Sequence, residues 1–265
     1  VGAGAILSLL ETGAAKQGLK GSVAAAGCDG ACYEAPVVII EGNAGLTFRL
    51  TNVRPADVNE ILNNWLSGRA NRSSQWRGSS PIWPIAGTKT PFWEKQNRIV
   101  MKHVGLNEPT NLAEYIARGG FETLEHVLLH VTPDELIEET LRANLLGRGG
   151  AYFPAAKKWQ GARIASRHPR YLIVNGEEGE PGIYKDRHIM EGDPYLLIEG
   201  IALAAYAIGA TKTYLYINGE AHLATRRMNE ALEKACTKRF AGNNVLGTDF
   251  CLDIELRRGG GGYIL

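Results

Sequence analysis

Four short segments of the chain hold side chains whose types and spacing can do chemistry. Gly147-Arg148-Gly149-Gly150-Ala151-Tyr152-Phe153-Pro154 gathers three glycines, which let consecutive backbone N–H groups converge on an anion. Arg148 and Lys158 add positive charge there, and Phe153 offers a ring for stacking. The segment is not the dinucleotide fingerprint, because Tyr152 occupies the third glycine position. It is not a Walker A loop, because no Gly-Lys-Ser/Thr follows. A glycine-rich connection between helices is the plainer reading of the same residues. In Asn175-Gly176-Glu177-Glu178-Gly179-Glu180-Pro181-Gly182, three carboxylates fall within four residues. They suit the hydroxyls of a ribose or a hard cation such as Ca²⁺ or Mg²⁺, against the alternative of a solvated acidic turn. Arg257-Arg258-Gly259-Gly260-Gly261-Gly262-Tyr263 joins two arginines to glycines that permit close backbone approach to an anion, or simply a flexible loop. Cys28-x-x-x-Cys32 puts two thiolates on one loop, half of what an iron–sulfur cluster usually takes.

The other reactive side chains show no comparable pattern. Cys236 and Cys251 have no partner motif and are expected as buried small hydrophobes. Six histidines are scattered without an HExxH or a triad, and His126 and His130, one helical turn apart, read as a helix surface.

The elements that must position these segments follow from periodicity. Residues 2–20 read as a helix with Ile6, Leu9, Leu10 and Ala14 inward; Val23–Ala26 and Pro36–Ile40 read as strands. A helix is expected over 55–66, with Pro55 near its start and Asp57 in its first turn. Residues 67–95 change to Ser, Arg, Gly, Pro and Trp and are the best linker candidate. Helices are expected again over 111–119, 121–130 and 133–146, the last with Thr132 as N-cap. Then the pattern alternates: strand 171–175, helix 195–208, strand 213–217, helix 220–240, strand 250–256. That alternation predicts a parallel sheet with right-handed crossovers, and ligands at the carboxyl ends of its strands.

Composition narrows the function classes. The chain has 265 residues, 45% apolar and 22% charged, which is globular and argues against long-range disorder. Lys plus Arg is 29 against 28 Asp plus Glu, so nothing supports a general nucleic-acid binder. Four cysteines in this length do not make a disulfide scaffold. The most apolar stretch, Tyr195–Ala210, is too short to span a bilayer and carries Glu199. Val1–Leu10 lacks a basic flank and an initiator Met, so it reads as an interior helix of a longer chain.

Taken together and in this order, the motifs resemble the NADH-binding flavoprotein subunit of respiratory complex I. The stretches are GRGGAYFPAAKKW, YLIVNGEEGEPGIYKDRHIMEGDPYLLIEGIALAAYAIGA and VLGTDFCLDIELRRGGGGYI. Upstream, GCDGACYEAPVVIIE and PFWEKQNRIVMKHVGLNEPTNLAEYIARGGFETL resemble the fused form found in diaphorase subunits of NAD-linked hydrogenases and formate dehydrogenases. The resemblance implies an α/β chain in three parts: a partial thioredoxin-like [2Fe–2S] ferredoxin domain over 1–50, a linker over 51–110, and a Rossmann-like FMN/NADH-binding core over 111–265, truncated at its C-terminal end. It implies an NADH dehydrogenase module: NADH gives a hydride to FMN, and single electrons go on to iron–sulfur clusters of a multisubunit oxidoreductase.

The family pattern also implies roles. Gly147, Arg148, Gly149 and Gly150 belong to the FMN and dinucleotide loop, and Lys158 reaches the flavin phosphate. Asn175 and Glu177 bond the flavin, with Glu178 beside them. Phe153 stacks on the dinucleotide, Glu180 contacts the nicotinamide end, and Tyr263 flanks the flavin. Cys28 and Cys32 carry over as [2Fe–2S] ligands, the other ligands lying before Val1, while the [4Fe–4S] domain lies beyond Leu265. No residue is catalytic in its own right, since hydride transfer is flavin chemistry. The implied partners are NADH and the iron–sulfur and catalytic subunits of the complex, with no nucleic acid and no membrane span. The implied place is the cytoplasm, at the cytoplasmic face of the membrane through partner subunits. Tyr152 and Ala155-Ala156 depart from the more usual Gly and Thr-Gly, Leu146 from Arg, and Glu177 from Asp. Two other readings compete: a core subunit of a membrane-bound Rnf-type ferredoxin:NAD oxidoreductase, and an assembly subunit that has lost its flavin. The ferredoxin-like segment argues against the first; Lys158, Asn175 and Glu180 argue against the second.

Overall fold

The computed structural model of the chain describes residues 2–18, 23–28, 30, 32–41, 47–66, 82–84 and 95–260. The chain divides into two compact units, Val1–Lys102 and His103–Leu265.

In the first unit, helix α1 (Ala3–Lys16) buries Ile6, Leu10 and Ala14, spaced four apart on one face. Leu9 was expected with them but faces solvent, because a stripe of that spacing excludes its neighbour. Strands β1 (Val38–Glu41) and β2 (Thr47–Leu50) pair antiparallel, with Ile40 opposite Phe48. A single 3₁₀ turn, Pro55–Asp57, leads into helix α2 (Val58–Leu66). The Asp57 carboxylate accepts the Arg54 N–H at 2.9 Å and so closes that turn. Leu50, Val53, Val58, Ile61 and Leu62 join the α1 stripe in one core. A Cβ on Gly13 would come within 2.2 Å of Leu62 Cδ1, so the missing side chain is what lets α1 meet α2. The backbone of β3 (Ile82–Pro84) pairs with β2. Val23–Ala26 is not a strand: its alanines favour strands weakly and no neighbouring strand pairs with them among the described residues.

The second unit opens with α3 (Leu112–Ala117), α4 (Glu122–His130) and α5 (Pro133–Arg142). Thr132 caps α5 as expected, and Glu135 completes the box by accepting the Thr132 N–H at 2.8 Å. Helix α5 stops four residues short of the expected Leu146, because Leu145 and Leu146 pair with the chain at Pro154 and Ala155 instead. Then come α6 (Ala155–Ile164), β4 (Tyr171–Gly176), α7 (Asp186–Gly192), α8 (Pro194–Ile208), β5 (Lys212–Ile217), α9 (His222–Thr237) and β6 (Asp253–Arg258).

The α/β expectation is borne out. Strands β4, β5 and β6 form a parallel sheet in that order, with Val174, Leu215 and Leu256 in one row. Helices α8 and α9 cover one face, and α9 buries the five residues assigned to it from periodicity: Ala224, Met228, Ala231, Leu232 and Ala235. Tyr171 and Ile173 point to the other face and are exposed, so the continuous apolar run of β4 is not buried on both sides here. Cys236, expected inside, is exposed on the last turn of α9. Its thiol is still pushed up in pKa, chiefly by partial burial.

Glu199 is the one carboxylate on the buried face of α8. It accepts the Tyr115 hydroxyl at 2.5 Å and the N–H groups of Phe121 at 3.0 Å and Leu124 at 3.3 Å. Those amides belong to the first turn of α4, so a buried charge doubles as a helix cap.

Candidate functional site

The glycine segment folds as a hairpin between α5 and α6. Leu146 bridges Pro154, the Gly147 N–H donates to the Phe153 carbonyl at 2.9 Å, and the Ala155 N–H donates to the Leu145 carbonyl at 2.9 Å. Residues 148–152 are its tip, turned by Gly150 at φ +106° and Tyr152 at φ +53°. A Cβ on Gly149 or Gly150 would meet nothing within 4 Å. The N–H groups of Arg148 through Tyr152 bond no acceptor among the described residues. Helix α6 starts directly after the hairpin and adds its positive N-terminal end. Lys158, exposed in the first turns of α6, holds its ammonium 5.8 Å from the centroid of the exposed Phe153 ring. The hairpin tip therefore offers unpaired backbone donors with the Lys158 ammonium nearby, the chemistry of an anion site.

The acidic segment starts at Gly176, the last residue of β4. A Cβ there would sit 3.1 Å from the Tyr216 carbonyl and 3.2 Å from Met190 Sδ, so a side chain would have to push its neighbours slightly aside. Asn175 Oδ1 accepts the Glu177 N–H at 3.0 Å. Glu177 Oε1 accepts the side-chain amide of Asn218 at 2.7 Å, and the same amide reaches the Glu178 carbonyl at 3.3 Å. Asn218 Oδ1 in turn accepts the Glu220 N–H at 2.8 Å.

Glu178 is spent on the backbone. Its Oε1 accepts the N–H groups of Lys185 at 2.7 Å and Asp186 at 2.6 Å, and its Oε2 accepts that of Arg187 at 3.0 Å. It thereby caps α7 and closes the loop that carries Glu180. The Arg187 guanidinium, 4.7 Å above the Tyr184 ring, closes it a second time. Glu180 itself is exposed, and its carboxylate bonds nothing among the described residues.

At the end of β6, the Arg258 guanidinium donates to the Gly219 carbonyl and lies 3.1 Å from His222 Nδ1. The Gly259 N–H donates to the Ile217 carbonyl at 2.8 Å, and a Cβ on Gly259 would fall 2.5 Å from the Tyr216 hydroxyl. Tyr263 lies outside the described residues. Cys28 and Cys32 are exposed in the first unit, and the Gly30 N–H donates to Cys28 Sγ at 3.4 Å. Among the described residues, no three His, Cys, Asp or Glu side chains gather as they would round a metal ion.

Direct bonds thus bring Asn175, Glu177 and Glu178 together with Asn218, Glu220 and Arg258 across the carboxyl ends of all three parallel strands. Lys158 and Phe153 meet on the glycine hairpin. Sequence reasoning singled out Arg258 as an anion-binding candidate but missed Asn218 and Glu220 as site residues, although the position of Asn218-Gly219-Glu220 just past a strand was a signal for them.

An open parallel sheet with an acidic loop tied across its strand ends, and a glycine hairpin leading into a helix, defines an α/β unit built to hold a ligand at those ends. Residues 141–265 match the model described as the Nuo51 FMN-binding domain, a match that supports the family of complex I flavoprotein and diaphorase subunits. The chain is 44% identical over 166 residues to an NADH-quinone oxidoreductase subunit of Rhizobium meliloti (strain 1021), covering 63% of this chain and 39% of that one. It is 39% identical over 180 residues to "NADP-reducing hydrogenase subunit HndC" of Solidesulfovibrio fructosivorans, covering 68% and 36%. It is 38% identical over 151 residues to the mitochondrial "NADH dehydrogenase [ubiquinone] flavoprotein 1" of Dictyostelium discoideum, covering 56% and 31%. The chain therefore spans less than two fifths of the length of these relatives. No described helix is long and apolar enough to cross a membrane.

Proposed function

We propose that residues 111–265 are the FMN- and dinucleotide-binding core of an NADH:acceptor oxidoreductase, passing electrons to iron–sulfur clusters of a multisubunit complex. The observation that carries this is the bonding across the strand ends: Asn218 to Glu177, and Arg258 to Gly219, hold polar groups where an open parallel sheet receives its ligand. Bound FMN would supply the conversion of a hydride into single electrons.

The residues present fit that group. Its phosphate asks for converging donors, and the hairpin tip offers unpaired N–H groups with Arg148 and Lys158 beside them. Its hydroxyls ask for acceptors and amides. Asn175, with Oδ1 held by Glu177, turns its Nδ2 outward as a donor, and Glu177 keeps Oε2 for a hydroxyl. Gly147, Gly149 and Gly150 let the backbone approach. Phe153 would stack on the dinucleotide, and Glu180 would accept from the nicotinamide end. Glu178 acts by fixing the loop rather than by touching the ligand, since both its oxygens are engaged.

Residues 1–50 are in this reading part of a thioredoxin-like ferredoxin domain, joined by 51–110. Cys28 and Cys32 give one iron of a [2Fe–2S] cluster its two thiolates, the spacing and the N–H aimed at Cys28 being the support. Beyond the [4Fe–4S] cluster expected past Leu265, partner subunits carry further clusters, and the protein works at the cytoplasmic face through them. Titrating FMN into the purified chain and following flavin fluorescence tests the core of this reading. Saturable, equimolar quenching is expected; fluorescence that stays unchanged through the micromolar range contradicts it.

A further inference from the structure

We infer that Tyr152 is a binding residue of the dinucleotide site, a second ring beside Phe153 that packs on the heteroaromatic ring of the dinucleotide's adenosine half. This rests on the reading above and adds to it a residue to which that reading gives no role.

The first ground is conformational. Tyr152 is held at φ +53°, the left-handed region that a tyrosine enters only at a cost. The position is the last of the hairpin tip, next to the closing pair of Gly147 and Phe153, where a glycine is the unstrained choice. A large side chain kept there against its backbone preference points to a use outside the fold.

The second ground is that the fold makes no use of the ring. Tyr152 is 61% exposed, and among the described residues it has no ring partner and no hydrogen bond. Phe153 next to it is also exposed and has the Lys158 ammonium near its ring. The space around Gly149 and Gly150 is open, so a planar ligand can approach the tip without displacing protein atoms. The hairpin base is pinned by two backbone bonds, so the ring is presented from a fixed point. Two exposed aromatic rings on a pinned hairpin, with cations beside them and no packing duty, are what a base that stacks and a phosphate that pairs require. The phenol is not needed for stacking, which makes phenylalanine the conservative replacement.

The test uses the full chain and ADP-ribose, the dinucleotide stripped of its nicotinamide, so that binding is read without turnover. Dissociation constants for wild type, Tyr152→Phe and Tyr152→Gly are measured by calorimetry beside their thermal midpoints. Wild type and Tyr152→Phe should bind alike. Tyr152→Gly should bind about tenfold more weakly, the loss of one stacked ring, while its thermal midpoint rises as the left-handed strain is removed. Unchanged or tighter binding by a folded Tyr152→Gly overturns the role of Tyr152 and leaves the dinucleotide site standing. Wild type that binds FMN but no ADP-ribose overturns the dinucleotide reading itself, and this proposal with it.

Discussion

The side-chain amide of Asn218 donates to the Glu177 carboxylate at 2.7 Å, joining residues that follow two neighbouring parallel strands. One bond therefore ties the acidic loop of β4 to the end of β5. Asn218→Ala removes it together with the contact to the Glu178 carbonyl. A hydrogen bond to a charged group is worth about 1.5–3 kcal/mol. The thermal midpoint and the flavin-to-protein ratio should both fall; a variant that keeps both would show the tie to be idle.

Glu178→Gln tests whether the loop is held from its own backbone. Glutamine brings one acceptor oxygen where the carboxylate uses two, so part of the cap on Lys185, Asp186 and Arg187 is lost. Losing a cap of this kind costs about 1 kcal/mol. Hydrogen exchange should quicken at those three amides. Exchange as slow as in wild type would contradict the capping role.

Glu180→Gln should behave differently, because this carboxylate is exposed and bonds nothing among the described residues. Stability and FMN content are expected to stay as in wild type while the dissociation constant for NADH rises. Parallel loss of flavin and NADH binding would move Glu180 out of the nicotinamide contact.

Lys158→Ala removes a cation beside the hairpin tip and leaves the hairpin's backbone bonds in place. FMN should bind roughly tenfold more weakly, about 1.4 kcal/mol for one charge-assisted bond, and riboflavin, which lacks the phosphate, should be unaffected. An equal loss for both flavins would place Lys158 away from the phosphate.

Tyr115 gives the unit a pH limit. Burial first, and then the bond to Glu199, raise its pKa above the ordinary value of 10.0. The unfolded chain ionises this phenol near that value while the folded chain keeps it protonated. Stability from Tyr115 is thus complete below the unfolded pKa and is lost as pH rises past it. The wild-type unfolding free energy should decline more steeply above about pH 10 than that of Tyr115→Phe, which is also weaker at neutral pH because Glu199 loses a donor. Identical alkaline slopes would rule out the contribution.

The sheet was legible because its apolar runs and the stripe of α9 are periodic, and burial selects periodicity directly. The capping box at Thr132 and Glu135 was half legible: Thr132 announced the helix, while the return bond from Glu135 needed geometry. Helix α7 was invisible, since its seven residues carry no stripe and its start is fixed by Glu178 from across a loop. For the same reason Glu178 read as one more site carboxylate; its spacing from Glu177 and Glu180 says nothing of which backbone amides it meets. Asn218 was hidden, as were the partners of Arg258, because these bonds run between strands that only folding makes adjacent. Exposed Leu9 and Cys236 show the limit on the apolar side, where residue type suggested burial and their place on the helix decided otherwise.

In the proposed function this core accepts a hydride from NADH. The direct measurement is an anaerobic titration of the FMN-reconstituted protein with NADH, followed by visible absorbance and repeated with NADPH. NADH should bleach the flavin band stoichiometrically and NADPH far less, since an acidic site disfavours the extra phosphate. A chain that takes up no FMN, or a bound flavin that NADH leaves oxidised, would contradict it.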